Sequence, residues 1–326
     1  MKILLAANTD WYLFNFRLPL ARRLRDRGDE VVVVSPPGPY VARLEAEGLR
    51  WRPMRIERRS MNPVRELGTL ASLYRIYREE RPQLVHHFTP KCAIYGSIAA
   101  RLARVPGIVN AVTGMGTVFS GDTAALRLAR PVVRLLYRIA FSRGHIVFQN
   151  PEDCDDFVAT HLADAGRARV IPGSGVDVER FVPGDAARNG EVRVLFVARL
   201  VADKGVEQFV EAAQRVRAVD PRVRFAVVGD VDPGNPLSIA PSRIEEWKRQ
   251  GGVEFLGHRE DVAQLMRNAH IFVLPTYYRE GVPRSLIEAA ASGLPLIASG
   301  VRGCTSVVIP DVNGVLVPPR NVEALA

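Results

Sequence analysis

Cysteine is scarce and scattered. Cys92, Cys154 and Cys304 are the only three in 326 residues, and none lies in a Cys-x-x-Cys pair. An odd, dispersed set excludes a disulfide framework and a zinc ribbon, and suits a reducing cytoplasm. No uninterrupted apolar run approaches the ~20 residues that a membrane span requires. The opening MKILLAANTD turns polar too early for the apolar region of a secretory leader, and reads as a first β-strand. No Gly-x-Gly-x-x-Gly follows that strand, so the dinucleotide fingerprint is missing from the first β-to-α junction.

What remains is an ordinary globular composition, 47% hydrophobic and 24% charged, long enough for two domains. The net charge of +9 is unevenly placed. Residues 1–185 carry 27 Lys/Arg against 19 Asp/Glu, whereas residues 186–326 carry 17 against 16. A basic first half points to an anionic partner, with nucleic acid, a membrane surface and a phosphorylated substrate all eligible. Nucleic acid is the weakest of these, because no aromatic-basic platform or recognition-helix pattern accompanies the charge.

Short Val/Ile/Leu-rich runs alternate with helix-length amphipathic stretches. KILLAA, EVVVVS, LVHHF, GIVNAV and HIVFQN are strand candidates in the first half, and RVLFVAR, RFAVVGD, VEFLG, IFVLPT and PLIAS in the second. Such alternation implies parallel sheets covered on both faces. The polar stretch PGDAARNGE at 183–191 divides the chain into expected domains 1–184 and 185–326. The expected fold class is α/β: two doubly wound, Rossmann-like domains with a cleft between them and ligands at the carboxyl ends of the strands. The chain stops at PPRNVEALA, where a helix is starting, so a truncated second domain is expected.

The β-to-α junctions carry the chemistry. NTDWYLFNFRLPL places Asn15 and Arg17 after the first strand, either as part of a hydrophobic staple before a helix with Pro19 in its first turn, or as a phosphate clamp. In LVHHFTPKC, His86, His87, Thr89 and Lys91 cluster at a strand end. Gly114 and Gly116 of TGMGTVF follow GIVNAV, and glycines there free backbone N–H groups for an anion. VARLVADKG sets Arg199 and Lys204 at one junction, two cations that suit a diphosphate unless they are a solvated loop pair. In YYREGVPRSLIEAAASG, a helix begins near Pro283–Ser285, with Glu288 a turn inside it and Glu280 in the loop before. Carboxylates grip vicinal hydroxyls, so a donor containing a diol, a diphosphate and a polyol satisfies the whole set.

Two Asp-x-Asp patterns are candidate metal ligands. Asp153 and Asp155 read as an acidic first helical turn, and Asp230 and Asp232 are the better pair, yet the Arg/Lys pair already supplies counter-charge and no metal is expected. Two basic stretches bear on partners. RWRPMRIERRS interleaves arginine with apolar residues at 50–60. AALRLARPVVRLLYRIAFSR sets Arg127, Arg130, Arg134 and Arg138 on one helical face, either to lie on an anionic membrane or simply to face water.

Glu-x7-Glu in EGVPRSLIE, with RLVADKG, GVDVERF and VNGVLVPP, resembles the retaining GT-B glycosyltransferases of family 4. FNFRLPL, VHHFTPKCAIYGSIAARLARVPGIVNAVTGMGTVF and FQNPEDC resemble the bacterial branch that extends polyprenyl-diphosphate-linked sugars for capsule, O-antigen or N-glycan assembly. The resemblance spans nearly the whole chain. It implies a metal- and cofactor-independent transferase at the inner face of the cell membrane, moving an N-acetylhexosamine from its UDP form. It implies that Glu280 contacts the donor sugar, with His86 and Lys91 as further candidate catalytic groups. By the same likeness, Glu288 binds the ribose, and Arg199 and Lys204 bind the diphosphate with Gly229, Gly281, Val282, Pro283 and Arg284. Asn15, Arg17, Thr113, Gly114 and Gly116 fall on the acceptor side. Family members often read GCRE where this chain has GCTS, so Thr305 and Ser306 put donor choice in question. Rival readings are an epimerase of the same fold, a transferase with a soluble acceptor, and a non-catalytic nucleotide-sugar sensor.

Overall fold

The apolar runs of the sequence become the central strands of two parallel sheets. The computed structural model describes residues 1–57, 60, 62–114, 124–184, 190–278 and 281–326. Two units result, Met1–Ser174 and Gly175–Ala326. The division falls ahead of the polar stretch at 183–191, because Phe181 is already buried in the second core.

The first sheet holds β1 (Lys2–Ala6), β2 (Glu30–Ser35), β3 (Arg50–Pro53), β4 (Leu84–Phe88), β5 (Gly107–Val112), β6 (His145–Phe148) and β7 (Ala168–Val170), in the order β3-β2-β1-β4-β5-β6-β7. The second holds β8 (Val192–Val197), β9 (Val223–Val228), β10 (Val253–Phe255), β11 (Ile271–Leu274), β12 (Leu296–Ser299) and β13 (Gly314–Val317), in the order β10-β9-β8-β11-β12-β13. Every pairing is parallel. In both sheets the strand order steps outward and then reverses, between β1 and β4 and between β8 and β11. Ligands of doubly wound sheets bind beyond the strand ends at such a reversal.

Successive residues of one strand feed opposite layers, as the two-residue period of a strand requires. Leu4, Val32 and Val34 join the helix Pro63–Glu80 through Leu73 and Tyr77. Ile3, Leu5, Val31 and Val33 pack on the other face with Leu18 and Ala21 of the helix Leu18–Asp26. With both faces covered, four consecutive valines at 31–34 are all buried. This is why the central strands read as unbroken apolar runs.

Two expectations need correction. Pro19 does stand in the first turn of a helix, Leu18–Asp26, but NTDWYLFNFRLPL before it is no simple staple, because helical structure already begins at Asp10. Thr9 caps it, its hydroxyl accepting from Tyr12 N–H at 3.1 Å. A π-helical turn, Leu13–Arg17, precedes Leu18–Asp26. The wider turn accommodates Pro19, which has no N–H to complete an α-helical ladder. The basic stretch at 50–60 is in part a strand, β3, whose Arg50 and Arg52 both donate to the buried carboxylate of Glu80. Its Arg58 and Arg59 lie outside the described residues.

Candidate functional site

The reversal of the second sheet gathers the cations expected there. Arg199 follows β8 and donates to Asp232 Oδ2 at 2.5 Å, while Asn235 donates to the same oxygen at 3.2 Å. The Asp230/Asp232 pair therefore gives one of its carboxylates to Arg199 as counter-ion. Lys204 ends a 3-10 turn, Ala202–Lys204, and is buried, with Nζ 6.0 Å from the Tyr278 ring. The next residue, Gly205, has φ 79°, and a Cβ there would meet Pro275 O at 2.2 Å. Only glycine lets the β8 and β11 exits approach so closely. Asp203 O fixes the approach by accepting from Thr276 Oγ1 and Tyr277 N–H, both at 3.0 Å.

The helix Arg284–Ala291 opens just beyond β11, with Pro283 as its cap residue. Its first-turn N–H groups and positive dipole end lie at the same strand exit, an arrangement that favours an anion. Glu288 is one turn in and accepts from Arg284 Nε at 2.7 Å. Burial pushes its carboxyl above the ordinary value, and Arg284 and Arg180 pull it partly back. Arg284 thus orients Glu288. Gly229 is a close-packing residue: its φ is 140°, a Cβ would lie 1.8 Å from Ala198 O, and its N–H already donates to Gly257 O. Thr305 and Ser306 are exposed. Glu280 lies outside the described residues, as does Gly116 on the first unit.

In the first unit, Arg17 lies over the Phe88 ring at 4.3 Å and donates to Tyr12 Oη at 2.9 Å. His86 packs against Phe88 in a tilted arrangement, with ring centroids 4.1 Å apart. Burial, reinforced by the charge of Arg17, lowers His86 to about 3, so its imidazole is neutral. Arg17 Nε, His86 Nε2 and Thr89 Oγ1 are buried without a protein partner. Thr89 also carries φ 73°, an unusual conformation for a β-branched residue. Three buried polar atoms without protein partners and a strained residue at a sheet reversal leave hydrogen-bonding capacity that polar groups of a ligand could use. Thr113 and Gly114 follow β5, with Gly114 at φ 133°. Asn15 Nδ2 donates to Trp11 O inside its own helix.

Lys91 is a tie rather than a free acid or base. Its ammonium donates to Glu57 O, Ser60 O and the Glu66 carboxylate, which uses all three of its donors. His87 is likewise internal, between Tyr77 Oη at 2.8 Å and Asn110 Oδ1 at 2.9 Å. Asn150 and Asp153 form a helix cap at 2.7 Å, which accounts for the first Asp-x-Asp pattern.

Two family models divide the chain between them. Residues 2–150 match "Glycosyl transferase 4-like" and residues 191–326 match "Glycosyl transferases group 1". The chain belongs to the family 4 glycosyltransferases. Among curated relatives, this glycosyltransferase is 28% identical to the N,N'-diacetylbacillosaminyl-diphospho-undecaprenol alpha-1,3-N-acetylgalactosaminyltransferase of Campylobacter jejuni, over 96% of this chain and 84% of that one. It is 29% identical to the UDP-Gal:alpha-D-GlcNAc-diphosphoundecaprenol alpha-1,3-galactosyltransferase of Escherichia coli, over 82% and 70%. The GT-B fold is shared with Anabaena HepE in complex with UDP and glucose (TM-score 0.75, 20% identity, 100% and 88% covered). It is also shared with sucrose-phosphate synthase from Thermosynechococcus elongatus (TM-score 0.79, 22% identity, 100% and 88% covered).

Several residues of the glycosyltransferase were not read from the sequence. Asp232 stood as a metal candidate, and its role as counter-ion to Arg199 comes from a loop contact that spacing does not reveal. Tyr277 and Tyr278 had a visible signal, two aromatics directly after a strand end in PTYYREG. Arg320, over the Tyr277 ring at 4.2 Å, had none.

Proposed function

We propose that this enzyme transfers an N-acetylhexosamine, with retention, from a UDP-sugar to a polyprenyl-diphosphate-linked saccharide. The observation that carries the reading is the pairing of Arg199 and Lys204 at the exit of β8 with the helix start at Arg284, in a chain related along 96% of its length to the Campylobacter transferase. In this reading Arg199 and Lys204 neutralise the donor diphosphate, and amides of the Gly281–Pro283 turn and the helix end share its charge. Glu288, oriented by Arg284, accepts from the ribose hydroxyls. Glu280 holds the transferred sugar. The acceptor hydroxyl approaches the anomeric carbon on the face the diphosphate leaves. The glycosidic C–O bond forms as the C–O bond to phosphate breaks, and the hydroxyl proton passes to the departing phosphate oxygen. Neutral His86, with Arg17 and Thr89, offers hydrogen bonds to substrate hydroxyl or phosphate oxygens.

Membrane association belongs to the same proposal. Leu128, Val132, Leu135 and Ile139 are exposed at i, i+4, i+7 and i+11 of the helix Ala124–Phe141, beside Arg127, Arg130, Arg134 and Arg138. An apolar stripe next to a row of arginines fits an anionic leaflet. No helix among the described residues is long and apolar enough to cross a membrane.

The test is transfer itself. UDP-N-acetylhexosamine and an undecaprenyl-diphosphate-linked sugar should give UDP and an extended lipid-linked product. Glu280→Ala should reduce kcat/KM by roughly 100-fold or more without loss of fold. Turnover undiminished in that variant removes Glu280 from the mechanism. Epimerised UDP-sugar formed without acceptor contradicts the transfer reading.

A further inference from the structure

The exit of β13 carries an arginine in a conformation that suits glycine. Arg320 has φ 61°, the left-handed region that a Cβ disfavours. Its side chain makes a contact that glycine lacks. The guanidinium lies 4.2 Å over the Tyr277 ring, a separation at which a cation is attracted to the ring face. Tyr277 is anchored on its other side by its N–H to Asp203 O, an oxygen that also accepts from Thr276 Oγ1. Asp203 precedes Lys204, whose Nζ faces the Tyr278 ring. One tyrosine thus joins the exits of β8, β11 and β13, three residues before Glu280 in the chain.

We propose that Arg320 is a positioning residue for the nucleotide-sugar: by pinning Tyr277 it holds the Asp203–Lys204 turn, and with it the Lys204 ammonium, in the donor-binding arrangement. The proposal rests on the donor-site reading above, and goes beyond it by assigning the β13 exit a part in donor affinity. Arg320 touches no donor itself. Its effect is carried through Tyr277, and therefore appears in binding rather than in the chemical step. A merely structural arginine would instead change stability and leave the donor KM alone.

The experiment measures UDP affinity by titration calorimetry, donor KM and kcat, and the thermal midpoint, for wild type, Arg320→Gly, Arg320→Lys, Tyr277→Leu and the Arg320→Gly/Tyr277→Leu double variant. Arg320→Gly relieves the left-handed backbone, so its midpoint should equal or exceed that of wild type. Its UDP Kd and donor KM should nevertheless rise about 3–10-fold with little change in kcat. Arg320→Lys, which keeps a cation over the ring, should recover most of the affinity. Tyr277→Leu should match Arg320→Gly, and the double variant should be no worse than the poorer single, because the two act as one unit. Wild-type affinity in Arg320→Gly, additive losses in the double variant, or an affinity loss accompanied by a fall in the Arg320→Gly midpoint overturns the proposal. Failure of the donor-site reading looks different, since wild type itself would then bind no UDP.

Discussion

Glu288 shows how one residue serves binding at the expense of the fold. Its carboxyl is raised mainly by burial. The native state therefore holds its proton more tightly than the unfolded chain does, and its contribution to stability is present at low pH and lost as pH rises through the folded value. Glu288→Gln should accordingly not lower the thermal midpoint at neutral pH, yet should raise donor KM roughly 10-fold or more by removing an ionised acceptor. Differential scanning and initial-rate kinetics on the same preparation check both halves. His86 and His87 act in the opposite direction. Both are lowered from 6.5, to about 3 and about 4, chiefly by burial. The unfolded chain takes up their protons first, so stability should fall as pH drops below about 6.5. Each contributes a slope of up to ~1.4 kcal/mol per pH unit until its folded value is reached. Urea titrations between pH 7 and 5 measure that slope, and a slope of zero refutes it. Arg199 and Glu288 were legible because a strand end and a helix start bracket them in the sequence. Lys91 was not, because the groups that occupy its ammonium are Glu57, Ser60 and Glu66, far back in the chain and joined to it only by folding.

At the scale of the element, the helix Ala124–Phe141 combines two surfaces. Tyr137, Ala140 and Phe141 are buried in the first unit's core, while Leu128, 82% exposed, leads the outward stripe. From the sequence, membrane and water are near-equal readings of its arginines, with the charge concentrated in this half favouring the membrane. The exposed leucines now support the first, since a purely water-facing surface has no use for them. Sedimentation with anionic vesicles should fall several-fold for Leu128→Glu/Leu135→Glu. Removing Arg127, Arg130, Arg134 and Arg138 should weaken it further at low salt, at ~1 kcal/mol per arginine near the surface. Equal sedimentation with neutral vesicles would contradict the electrostatic part. The π-helical turn at Leu13–Arg17 was illegible for another reason. Apolar spacing marks a helix, but nothing in a hydrophobic period distinguishes i+5 from i+4 closure over a single turn.

For the whole molecule, the same strand order recurs in both units, and each has its own reversal where a ligand can sit. Donor binding should therefore stabilise the second unit. Trp247 is buried there, while the other two tryptophans, Trp11 and Trp51, belong to the first unit. In a Trp11→Phe/Trp51→Phe variant, Trp247 fluorescence should report a melting transition raised by roughly 5–10 °C in UDP at 100 times its Kd. An unmoved transition argues against a nucleotide site in that unit. The strands that went unread, β3, β7 and β13, are all sheet edges of three or four residues. β3 and β7 lack the apolar run that marks a central strand, being Arg-Trp-Arg-Pro and Ala-Arg-Val, while β13, Gly-Val-Leu-Val, is apolar but only four residues long. The same shortness and charge have a consequence for crowded solution. Along the first sheet's borders a neighbouring copy finds little open backbone on which to add a strand, and arginine on each edge strand. Copies of the chain are thus poor templates for one another along that sheet's borders, even at high concentration.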